Sequence, residues 1–261
     1  YKGSLEVFEG NLTIGNIAEF LIYVALLTWP VISLGWITSI VQRAAASQKR
    51  INEFLKQSSN IISRKNKKIN INGDIEFKNV SYTYSESNIT ALNNINFKIL
   101  QGESLGIVGS TGSGKSTIAN LIPRLMDVSE GKIIIDGIDI KEMNIQNLRN
   151  QVGYVPQDVF LFSDTISNNI SFGSKTKNFN LIHQAAEDTN LLSNINNFSN
   201  KFETKIGERG VTLSGGQKQR ISIARAIIKN PKILIFDDCL SSVDTKTENI
   251  ILNSLKTIMQ N

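Results

Sequence analysis

Gly109-Ser110-Thr111-Gly112-Ser113-Gly114-Lys115-Ser116 matches in full the P-loop spacing of two glycines with four residues between them followed by Lys and Ser or Thr. Ahead of it, residues 104–108 form a continuous apolar run, the pattern of a buried parallel strand. Behind it a helical run begins near Lys115. Glycines allow backbone torsions that turn successive amide N–H groups toward phosphate oxygens, and the helix that follows adds the partial positive charge of its N-terminus. Lys115 is placed to reach β and γ phosphates and the Ser116 hydroxyl to bind Mg²⁺, with Thr117 completing the set.

Such a loop needs an acidic residue at the end of a second apolar strand. Residues 232–236 supply the strand and Asp237 the carboxylate. Asp238, next in sequence, is placed to meet an attacking water as general base, or else to serve as a helix cap or turn carboxylate.

Outward from these motifs, the pattern from Gly73 onward alternates short strands with helices. Ile75 and Phe77 alternate, as do Ile95, Phe97 and Ile99, and residues 132–140 read as a hairpin turning on Asp136 and Gly137. Residues 164–200 read mostly as helix, forming a helical insert. The fold class is therefore an α/β P-loop domain with an antiparallel β region near its start.

The first quarter of the chain is different. Twenty-three consecutive residues, 20–42, carry no charge; as a helix they extend about 34 Å, enough to cross a hydrocarbon core of about 30 Å. This predicts one transmembrane helix, over about residues 17–42, with a kink at Pro30; a buried core helix of a soluble protein is the other reading. Glu6, Glu9 and Glu19 precede the span while Arg43, Lys49 and Arg50 follow it, so everything after Arg43 is expected in the cytoplasm. Ala46, Ile51 and Leu55 keep helical spacing past the span. The boundaries read as residues 1–57 for the end of a membrane domain and its cytoplasmic extension, 58–73 for a polar linker with a basic run at 65–68, and 74–261 for the nucleotide-binding domain.

Composition narrows the chemistry. One histidine, His183, and one cysteine, Cys239, exclude a zinc cluster and a disulfide framework, leaving catalysis to carboxylates, lysine and backbone dipoles. Cys239 is expected as a small buried hydrophobe. A net charge of +5 allows a nucleic acid, an anionic membrane surface or a phosphate ligand.

Leu213-Ser214-Gly215-Gly216-Gln217, followed by Lys218, Gln219 and Arg220, appears together with the P-loop and the Asp237 strand. This set, in this order, resembles the ATP-binding cassette (ABC) family throughout residues 74–261. The resemblance implies that Tyr84 stacks on adenine and that Gln157 contacts Mg²⁺ and water while joining the core to the helical insert. It also implies that Ser214, Gly215 and Gly216 open a helix whose anion site meets the γ-phosphate held by a second cassette, so that two cassettes sandwich two ATP molecules. Asp244 matches a loop that communicates between the two sites. Glu208, in Gly-Glu-Arg-Gly at 207–210, resembles an exporter segment that contacts membrane domains. The order of membrane helix first and cassette second matches exporters, in which the last membrane helix of the subunit precedes the cassette. Members acting on DNA or ribosomes lack such a span, so the positive charge is not read as nucleic-acid binding.

The implied protein is an exporter subunit in the cell's inner membrane, contacting lipid and pairing with a second subunit, identical or not; drug, lipid and peptide cargoes all stay open. A non-hydrolysing regulatory partner, and a soluble cassette ATPase working on nucleic acid, are the other readings. One departure stands out: most active members carry Glu at position 238, and an Asp there resembles the degenerate half of heterodimeric exporters. The family's switch histidine lies one helix and one strand past the Asp244 loop, so His183 cannot fill that role and is expected to be structural. The 261 residues are accordingly expected to be a cassette cut at both ends.

Overall fold

The computed structural model describes every residue except 1, 11, 12, 60, 64–67, 175, 211, 260 and 261, and the side chains of 4, 6 and 209. It divides into two compact units, residues 1–60 and 61–261.

The first unit is helical, with α1 (Lys2–Phe8) and α2 (Ile14–Lys56). Thr13 starts α2 through a capping box with Asn16, which satisfies first-turn amides locally. The helix runs through Pro30 without interruption, and Thr28, Ser33 and Thr38 turn their hydroxyls back onto the carbonyls of Val24, Pro30 and Leu34. Its apolar stretch has a mean hydropathy of 2.0 over 18 residues, and none of that stretch is buried inside the structure. Length and composition suffice to cross a membrane. Among the described residues, none of α2 is buried.

The second unit opens with β1 (Ile75–Tyr84) and β2 (Ile89–Ile99), then α3 (Lys115–Leu121), β3 (Glu130–Ile135), β4 (Ile138–Asp139), α4 (Ile145–Gln151) and β5 (Val152–Val155). After these come α5 (Ile166–Ser171), α6 (Phe179–Asp188), α7 (Leu192–Asn196), α8 (Gly215–Ile227), β6 (Ile233–Phe236) and α9 (Thr245–Met259). One sheet is antiparallel in the order β2-β1-β3-β4; the other pairs β5 with β6 in parallel. Asp136 and Gly137, both at positive φ, turn β3 into β4 as the sequence predicts. Two apolar cores result: one under the antiparallel sheet, around Phe77, Leu121 and Ile135, and one among α5, α6 and α8, around Ile170, Ile182 and Ile223.

The structure corrects one element. Residues 104–108, expected as a buried parallel strand, join neither sheet, and Leu105, Ile107 and Val108 are exposed, Val108 at 93%. An apolar run becomes a strand only where a partner edge satisfies its amides and carbonyls. Here the parallel ladder takes β5 and β6 alone.

Part of the stretch read as linker is bonded to the cassette. Asn147 and Gln151 of α4 take the backbone of Ile69 and Ile71 at 2.7–2.9 Å. The Asp136 carboxylate accepts the N–H groups of Asn72, Gly73 and Asp74. Ile71 is buried beneath them. Of the basic run at 65–68, residues 65–67 lie outside the described residues.

Candidate functional site

The loop 109–114 takes its shape from its glycines, Gly114 above all. Gly114, at φ +91°, stands where a Cβ would lie 2.7 Å from the Ala91 carbonyl oxygen and 2.8 Å from Leu92 Cδ2. Gly112 also has positive φ, and a Cβ on Gly109 would lie 2.7 Å from Ser113 Oγ. The Ser113 N–H closes the turn on the Ser110 carbonyl at 3.2 Å, with Thr111 between them. Lys115 Nζ donates to the carbonyls of Gly109 and Ser110 at 2.9 and 2.8 Å, folding its ammonium over the loop.

The motifs separated in sequence converge here. Ser116 Oγ donates to Asp237 Oδ1 at 3.0 Å, joining the helix after the loop to the end of β6. The Asp237 N–H donates to Val155 O at 3.0 Å, and Gln157 Nε2 donates to Asp238 Oδ2 at 3.3 Å, so the end of β6, which carries both carboxylates, is bonded to the end of β5 and the turn after it. Tyr84 ends β1 with its hydroxyl 3.0 Å from that of Thr117, which is buried, while Tyr84 as a whole stays 38% exposed. Tyr154 on β5 donates to Asn120 Oδ1 of α3 at 2.7 Å; burial first, and then Asp237, push its phenol up.

Hydroxyl and carboxylate oxygens at this spacing are the hard donors that Mg²⁺ selects. Among the described residues no group of three or more His, Cys, Asp or Glu sits together, so a cation here would complete its shell with phosphate and water oxygens. The residues present fit that cation: Ser116, Asp237 and Gln157 would face it.

The signature forms a separate feature. Ser214 caps α8, its Oγ accepting the Gln217 N–H at 3.3 Å while Gln217 Oε1 accepts the Ser214 N–H at 3.0 Å. Leu213 is buried beneath, and Gly215 and Gly216 pack on Ser242. No hydrogen bond or ion pair joins residues 213–217 to residues 109–116 among the described residues. Asp244 accepts the Thr247 N–H at 3.0 Å at the start of α9; that bond first, and Arg220 further off, hold its carboxyl below the usual range. Glu208 is exposed in a short turn, Glu208–Gly210.

His183 lies on α6 outside all of this, exposed, its ring 6.0 Å from that of Phe202 and 6.5 Å from that of Phe179. Cys239 is buried, and burial pushes its thiol up to about 12. Iodoacetamide at pH 8 is therefore expected to leave Cys239 unmodified in the folded protein and to alkylate it in denaturant, as read by mass spectrometry.

Sequence reasoning missed two clusters. Arg225 donates to the carbonyls of Phe160 and Asn169 and to Asn169 Oδ1 at 2.8–2.9 Å, with Phe162 and Phe172 5.6 and 5.8 Å away; burial lowers it to about 10. Gln219 bonds the loop that follows Asp238. Neither has a local signal, because each partner lies 22 or more residues away.

The family described as "ABC transporter" matches residues 92–241. The chain is 44% identical over 260 residues to a multidrug resistance-like ATP-binding protein of Buchnera aphidicola subsp. Baizongia pistaciae, covering 99% of this chain and 45% of that protein. It is 40% identical to a probable multidrug resistance ABC transporter ATP-binding/permease protein of Bacillus subtilis, covering 97% and 44%. With an ATP-dependent lipid A-core flippase of Shigella sonnei it shares 40% identity, covering 100% and 45%. The chain thus spans less than half the length of these relatives. Among solved structures, a bacterial Atm1-family ABC exporter with ATP bound superposes with a TM-score of 0.79 at 33% identity, covering 95% of this chain and 44% of that one.

Proposed function

The chain belongs to the ABC transporter family, and from that premise we propose that it is the ATP-binding part of a membrane exporter subunit that binds and hydrolyses MgATP between two cassettes. The observation that carries this is the convergence of the loop 109–116 with Asp237, Asp238 and Gln157, bonded through Ser116 at 3.0 Å and Gln157 at 3.3 Å. The helix α2 anchors the subunit in the inner membrane among lipid, and the positive flank at Arg43, Lys49 and Arg50 keeps the cassette in the cytoplasm.

In this reading the amides of 109–114 and the Lys115 ammonium hold the β and γ phosphates, and the exposed ring of Tyr84 lies under adenine. Bound Mg²⁺ supplies charge neutralisation of the phosphates. Asp238 holds the attacking water and accepts its proton. Ser214, Gly215 and Gly216 serve the nucleotide of the other subunit. Closure of the pair passes to the membrane helices through Glu208 and Gln157, and between sites through the Asp244 loop.

The subunit pairs with a distinct, faster one. Aspartate is one methylene shorter than the glutamate usual in the family, which sets its carboxylate about 1 Å back from the water, a misplacement that costs about a hundredfold in rate. In the full-length complex with a glutamate-bearing partner, Asp238→Glu is expected to leave total ATPase unchanged within about twofold. A tenfold or larger rise in this subunit purified alone, with no distinct partner required for activity, would show a homodimer with a slow base instead.

A further inference from the structure

Gln219 lies in the first turns of α8, two residues after the signature, and is only 6% exposed. A buried amide must place both its ends. Its Oε1 accepts the Ser242 N–H at 3.1 Å, and its Nε2 donates to Ser241 Oγ at 3.5 Å. Ser241 Oγ in turn donates to the carbonyl of Asp238 at 3.1 Å. The loop is pressed onto the helix at the same place: a Cβ on Gly216 would lie 2.8 Å from the Ser242 carbonyl oxygen. Asp238 meanwhile holds φ +48°, a left-handed backbone that aspartate adopts more readily than most residues with side chains.

Two glutamines therefore bracket Asp238. Gln157 bonds its carboxylate, and Gln219, through Ser241, bonds its backbone. We propose that Gln219 is a positioning residue that sets the direction of the Asp238 carboxylate and ties it rigidly to the signature of the same chain. The inference rests on the reading of Asp238 as the base. Its consequence is that a displacement of the Ser214 turn, on meeting the other subunit's nucleotide, reaches this chain's own Asp238 backbone through about one and a half helical turns and two hydrogen bonds.

The test uses the full-length two-subunit complex with the partner's own catalytic site inactivated, so that single-turnover ATP hydrolysis and ATP affinity report on this chain's loop. Gln219→Leu keeps the volume and removes the amide; Ser241→Ala, at an exposed position, removes the hydroxyl that joins Gln219 to the Asp238 carbonyl and leaves the Gln219 bond to the Ser242 N–H in place. Each is expected to slow hydrolysis about tenfold while ATP affinity stays within about twofold. The two together are expected to be no slower than Gln219→Leu, and neither slows the Asp238→Asn variant further. A loss of the same size in the Asp238→Asn background, or a fall in ATP affinity matching the fall in rate, would overturn the positioning role. If Asp238→Asn alone leaves the rate unchanged, the assignment of Asp238 as base falls and the positioning role with it. Lys115→Ala reports separately on nucleotide binding.

Discussion

Replacing Lys115 by alanine is expected to abolish detectable ATP binding and hydrolysis while leaving the fold intact. The ammonium does two things at once. It donates to the Gly109 and Ser110 carbonyls, holding the loop closed, and in the proposed reading it supplies positive charge to the β and γ phosphates. Losing charge-assisted bonds to a phosphate costs on the order of 3 kcal/mol, about a hundredfold in affinity. The core beneath, around Leu121 and Ile135, does not involve Lys115. The nucleotide-free melting midpoint should therefore stay within a few degrees of the parent. Melting with and without MgATP checks this: the parent is stabilised by nucleotide, the variant is not. An undiminished shift in the variant would show that ATP is held elsewhere.

The second large effect is expected from Ser214→Asp. Aspartate is as good an N-cap as serine and suits the positive end of the α8 dipole, so the capping bond from the Gln217 N–H is kept. What changes is charge. If Ser214 faces the γ-phosphate held by the other subunit, a carboxylate there meets like charge at close range. At about 4 Å and an effective dielectric of about 20 that repulsion is on the order of 4 kcal/mol. ATPase of the full-length complex should fall about a hundredfold or more, with no loss of secondary structure by circular dichroism.

Legibility in the sequence followed the range of the interactions. Features fixed by neighbours a few residues apart could be read directly. The loop 109–116, the Asp136–Gly137 turn and the cap at Ser214 each rest on contacts within one turn of chain. Alternation gave β1 and β2 because one face of that sheet is buried over Phe77 and Val80. The apolar run at 104–108 misled, since hydrophobicity states a strand's preference for burial and not whether an edge is there to pair with it. Bonds spanning long stretches were illegible in detail: Ser116 to Asp237 crosses 121 residues and Gln157 to Asp238 crosses 81. The P-loop pattern named Ser116, Asp237 and Asp238 and the family resemblance named Gln157, yet only the fold shows that Ser241 joins Gln219 to the Asp238 carbonyl.

The central claim is that the two phosphate-binding features of this chain, at 109–116 and 213–217, serve two different ATP molecules. ATP affinity at this chain's own loop, measured side by side in full-length Lys115→Ala and Ser214→Asp, tests it most directly. The expected result is that Lys115→Ala loses binding, whereas Ser214→Asp binds like the parent yet no longer hydrolyses. Equal loss of binding in both variants would place the two features around one nucleotide and contradict the account.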